Sequence, residues 1–193
     1  MKEWLAQAYV NGNNFHKAIE YIEALPRRNP AIDQAYQKAT YLRGTEAFNM
    51  GQYADAVQNF EKSLEYPLDK GFVALAAFWE GEAYSIGEKY DEAIGAYLLV
   101  LGLGAPADKE IIAKTRYGIG YAYFNTKAYD KALVNFREFV NNSNKSTPNY
   151  VDGLVRLADC YYVRKSYEDA IRYFPWPAIL VRLTMITCCC RRA

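Results

Sequence analysis

The chain is poor in the residues that most often carry chemistry. It has 193 residues but only one histidine, His16. That residue sits in a variable helical position, so no Ser-His-Asp arrangement is expected. Of the four cysteines, Cys160 stands alone and the other three run consecutively as Cys188-Cys189-Cys190, without metal-ligand spacing. Neither sign of charge prevails: 23 Lys and Arg against 22 Asp and Glu leave a net +1. That balance offers no general attraction to nucleic acid or an anionic membrane. No apolar run is long enough for a transmembrane helix. The opening MKEWLAQAYV has no apolar core of a signal peptide, which makes the cytoplasm the default compartment. It also starts inside a helical pattern without a cap, so a periplasmic or envelope location is expected if a leader is missing. Acidic pairs such as Asp91-Glu92 and Glu168-Asp169 fall in first turns of helices, where they complement the helix dipole; they are not read as acid/base pairs. No enzyme, metal or cofactor is expected.

What the sequence has in quantity is tyrosine, 18 residues, and a pattern that returns. An aromatic, two variable residues, Ala and an aliphatic occur as Phe15–Ile19, Tyr53–Val57, Tyr90–Ile94, Tyr129–Leu133 and Tyr167–Ile171. The aromatics are 38, 37, 39 and 38 residues apart. A fixed period of this size marks a solenoid or array. Nine residues before each aromatic stands a small residue: Ala6, Gly44, Gly81, Gly120 and Ala158. Four residues after each signature Ala comes a large one: Ile22, Phe60, Tyr97, Phe136 and Phe174. Small residues on paired helices let two axes approach, and bulky ones fill the space beside the contact. The stretch Tyr41–Leu64 shows the whole unit, two amphipathic helices turning at Met50-Gly51-Gln52.

This pattern resembles the tetratricopeptide repeat (TPR), in a longer-period form of bacterial type. The match includes Gly44, Phe48, Gly51, Tyr53, Ala56 and Phe60, and again Gly120, Ala122, Tyr123, Tyr129, Ala132 and Phe136. It runs over nearly all of Lys2 to Phe174. Two features depart from the family: the period exceeds the usual length of about 34 residues, and the proline near the repeat end is matched only loosely by Pro30 and Pro67. The resemblance implies an all-α, right-handed superhelical α-α solenoid of about five helical hairpins. Their expected spans are about 1–29, 30–68, 69–104, 105–145 and 146–174 in one domain, 1–174. Asn29-Pro30, Asp69 and Thr147-Pro148 are expected to cap helices. Gly102-Leu103-Gly104-Ala105-Pro106 lacks the strand and third glycine of a phosphate loop and is read as a linker.

After Phe174 the pattern breaks into PWPAILVRLTMITCCCRRA, residues 175–193. Pro175 and Pro177 fall where the second helix of the fifth copy should continue, each costing on the order of 3 kcal/mol there. We read this tail as a frameshift product. Shifted by two bases, the codons of Met185 to Cys190 give Asp, then Tyr, His or Asn, then Leu, Met or Val, then Leu-Leu, a fair start for another first helix. The uncapped end of the fifth copy is then apolar and expected to self-associate.

In TPR solenoids the first helices line a concave groove that holds a partner protein or peptide. Carried onto this chain, the resemblance gives Tyr41, Phe48 and Asn49; Phe78, Glu82 and Ile86; Tyr117, Tyr121, Phe124 and Asn125; and Asp159 and Tyr162 as the candidate binding residues. The same aromatics suit packing between copies. The Lys-and-Asn clamp of chaperone-adaptor TPRs has no match, because the corresponding positions carry Glu3, Tyr41, Phe78, Tyr117 and Val155. The expected function is a protein-interaction scaffold, the alternative a module that captures glycans on its groove aromatics.

Overall fold

The computed structural model describes residues 2–104 and 108–174. The tail 175–193, with its proposed frameshift and cysteine run, lies outside the described residues, as do Ala105 and Pro106 of the glycine-rich linker.

Ten helices and no strands make up the described residues, packed as consecutive antiparallel pairs. They are α1 (Lys2–Asn11) with α2 (Phe15–Glu23), α3 (Pro30–Asn49) with α4 (Tyr53–Leu64), and α5 (Lys70–Ile86) with α6 (Tyr90–Leu103). Then come α7 (Lys109–Asn125) and α8 (Tyr129–Asn142), and α9 (Pro148–Val163) and α10 (Tyr167–Tyr173). The chain divides into two compact units, Met1–Gly118 and Ile119–Ala193.

Two of the three expected caps form. The Asn29 side chain accepts from the Ile32 amide at 2.9 Å, with Pro30 opening α3. The Asp69 carboxylate accepts from the amides of Gly71 at 2.8 Å and Phe72 at 3.3 Å, at the head of α5. The third expectation is corrected: Thr147 precedes α9 but makes no side-chain cap. Its hydroxyl donates instead to the Asn144 carbonyl at 2.8 Å, closing the preceding loop.

The turn within each pair is the same. At Met50-Gly51-Gln52 the Gly51 backbone has φ +74°, and the Gln52 amide reaches back to the Ala47 carbonyl at 2.9 Å. This is a Schellman-type stop, which satisfies carbonyls that the helix end would leave unpaired. Asn13, Glu88, Lys127 and Lys165 take the same positive-φ position in the other turns.

Within a pair, the small residue of the first helix is the seat for the aromatic of the second. A Cβ added to Gly44 would stand 2.6 Å from the Phe60 ring, one on Gly81 2.6 Å from Tyr97, and one on Gly120 2.8 Å from Phe136. All three rings are fully buried. Here glycine is required for close approach and not for its backbone freedom. Successive pairs are tied by polar groups as well. In the first unit, buried Gln37 on α3 donates to the Asp69 carbonyl at 3.0 Å and accepts from the Asp69 amide at 2.9 Å. These two hydrogen bonds fix the loop before α5. No helix among the described residues is long and apolar enough to cross a membrane.

Candidate partner-binding faces

The sequence-derived binding residues fall on first helices, six of the ten principal ones in the first unit and four in the second. Their surroundings differ sharply.

In the first unit, Tyr41 is half-buried and its ring meets Phe60 at 6.2 Å and Phe72 at 5.3 Å. Phe48 packs edge-on against Tyr53 at 5.3 Å and Trp79 at 5.0 Å. Phe78 lies in the interior, 5% exposed, beside Tyr97 at 6.2 Å. Its place on the helix repeats that of Tyr41: both stand three residues before the seat glycine and touch the ring lodged on that seat. Glu82 accepts a hydrogen bond from the Tyr97 hydroxyl at 2.5 Å. Burial pushes its carboxyl up, against the opposing pull of Tyr97 and Lys114, and the same burial raises the Tyr97 phenol. Asn49 and Ile86 are exposed at the ends of α3 and α5, and Tyr117 is half-buried on α7.

In the second unit, a polar cluster forms around Arg156, between two acids on the same face of α9. Its guanidinium donates to the Asp159 carboxylate at 2.7 Å and to the Tyr121 hydroxyl at 3.2 Å, and lies 3.9 Å from Asp152. The Tyr121 hydroxyl in turn donates to Asp152. Arg156 also lies over the Phe124 ring, 5.6 Å from its centre. Burial and the neighbouring Asp152 charge raise the Asp159 carboxyl above the ordinary range, while Arg156 holds it down. Asn125 is exposed at the end of α7. Tyr162 is 66% exposed, its ring edge-on to Tyr167 at 5.6 Å.

Sequence reading missed Trp79, Arg156 and Asp152. The first two share a signal: each stands two residues before a seat residue, Gly81 or Ala158. Asp152 carries none, since a lone acid in a half-exposed helix turn looks like any solvated residue. The remaining candidates for chemistry have ordinary places. His16 is exposed beside Glu20 at 3.2 Å. Cys160 is buried in α9, and burial pushes its thiol up to about 12, away from a reactive thiolate. No group of three or more His, Cys, Asp or Glu able to hold a metal ion occurs among the described residues.

Residues 41–108, which span most of α3 through α6, match the tetratricopeptide repeat family. Over those residues the chain is of TPR type. No curated protein matches the chain. Among solved structures, MamA from Desulfovibrio magneticus RS-1 (residues 41 to the end) aligns with a TM-score of 0.60 at 21% identity, covering 94% of this chain and 93% of that one. A second MamA structure aligns at TM-score 0.60 and 19% identity, covering 88% and 90%. BtubC (BKLC) from P. vanneervenii reaches 0.64 at 18% identity, over 94% and 78%. At these identities the likeness is one of fold: an all-α stack of TPR helical pairs. Such a fold supports a protein-interaction scaffold in general.

Proposed function

We propose that the chain binds a partner protein or peptide on the faces of its first helices. The observation that carries this reading is the Tyr121–Asp152–Arg156–Asp159 cluster. It gathers four polar side chains at half-buried positions on α7 and α9, in register with the half-buried ring of Phe124. Preorganised polar groups beside aromatic edges suit contact with a polypeptide, whose backbone and side chains need both. Exposed Asn49 and Asn125 end two of the first helices and offer amides to a bound main chain. The rings favour a polypeptide over a sugar. Tyr41, Phe48 and Phe124 spend their surfaces on neighbouring rings, which leaves few flat faces for stacking a glycan.

Site-specific photo-crosslinking in the native host tests the reading. A photo-reactive side chain replaces Asn49 or Asn125, or, as a contrast, exposed Val134 on the second helix α8. The expected result is a discrete protein adduct from 49 and 125 that position 134 does not give. Adducts from 134 alone would place the partner on the second helices and overturn the proposal.

A further inference from the structure

Each helical pair is covered by the first helix of the next, and one position recurs in that contact. It lies two residues before the seat residue: Leu42, Trp79, Gly118 and Arg156. Leu42 packs against the buried cluster that α1, α2 and α3 share, which includes Val10 and Ala39. Trp79 meets Phe48 at 5.0 Å. Gly118 lies so close to Tyr97 that a Cβ would stand 2.6 Å from its ring. Arg156 covers Phe124 at 5.6 Å. The receiving residue, four after the seat, is Val10, Phe48 or Phe124 in the pairs where it is apolar and covered.

Among the described residues, both halves of this contact also occur uncovered. In α1 the inserting position is Trp4, 82% exposed; in α9 the receiving position is Tyr162, 66% exposed. Tyr162 is already set as a receiver. Its ring packs edge-on against Tyr167 at 5.6 Å and 62°, as Phe48 does on Tyr53 at 5.3 Å and 72° and Phe124 on Tyr129 at 5.4 Å and 80°. Beside it opens a cavity of about 180 Å³ lined by Ala158, Asp159, Tyr162, Ala170, Ile171 and Phe174.

We propose that α1 of one copy of this chain docks on α9 and α10 of another, with Trp4 seated on Tyr162 as Trp79 is seated on Phe48. The cavity admits the indole, and Asp159 in its wall supplies the acceptor that a buried indole N–H needs. The two patches differ, so the contact is heterologous. It extends into rings or filaments instead of stopping at a two-fold dimer.

Sedimentation velocity across a concentration series decides the matter, with Trp4→Glu, Tyr162→Glu and, as a control surface, Val134→Glu. The unchanged chain and Val134→Glu should gain mass with concentration. Trp4→Glu and Tyr162→Glu should each stay monomeric, with at least about a tenfold loss of affinity. An equimolar mixture of those two retains one intact pair of patches and should form a heterodimer that grows no further. That recovery also shows each variant to be folded. A monomeric unchanged chain, association that survives Trp4→Glu, loss of association in Val134→Glu, or a mixture that fails to pair would each overturn the proposal.

Discussion

Glu80 stands on α5 with its carboxyl buried against α4, where Glu61 accepts a hydrogen bond from Tyr84 at 3.1 Å. Burial, and then the Glu61 charge, pushes the Glu80 carboxyl up from 4.5 to about 7. Between those values the folded chain holds a proton that the unfolded chain has released. Stability therefore falls as pH rises from 4.5 to about 7 and levels off above. Glu80→Gln removes this penalty. In urea unfolding followed by circular dichroism, it should gain on the order of 2 kcal/mol at pH 8 and change little at pH 4. An equal change at both pH values would contradict the assignment. None of this was visible in KGFVALAAFWEGEAYSI, because a helix apolar on most sides does not reveal which residue turns inward. Phe78 shows the same limit. Expected on the groove, it lies inside the pair, and the adjacent Trp79 makes the contact with Phe48.

At the scale of elements, helix starts and stops were largely legible. Asn29, Asp69 and Gly51 have side chains, or the lack of one, whose local chemistry dictates a cap or a left-handed turn. The repeated turn itself was legible only at Gly51 and in the polar run at Asn13. At Glu88, Lys127 and Lys165 nothing in the residue favours positive φ. There the backbone bonds hold the conformation, such as the Ala128 amide to the Tyr123 carbonyl at 2.8 Å, against a local steric cost. Lys127→Gly removes that cost and should stabilise the chain by about 0.5–1 kcal/mol, after the greater freedom of glycine in the unfolded state is deducted. An unchanged or lower urea midpoint would show the turn to be unstrained. Thr147 makes no cap: its hydroxyl is directed back to the Asn144 carbonyl, to which it donates, and accepts from no α9 amide.

Over the whole molecule, the period and the pairing of small with large residues carried the all-α reading, since both follow from side-chain volume at fixed helical offsets. The division after Gly118 had no sequence signal. It falls inside α7, where composition does not change and the repeat runs on. The pairs α3–α4, α5–α6 and α7–α8 are each held by an aromatic of the second helix lodged on a glycine of the first. A double-mutant cycle on Gly44 and Phe60 measures that contact directly, by urea unfolding of Gly44→Ala, Phe60→Leu and the double variant. Gly44→Ala alone should cost about 1–3 kcal/mol, because the new Cβ would stand 2.6 Å from the ring. With Leu at position 60 the same change should cost at least about 1 kcal/mol less, a clear coupling. Costs that simply add would mean that the ring does not rest on this glycine, and the nesting that defines the repeat would be wrong.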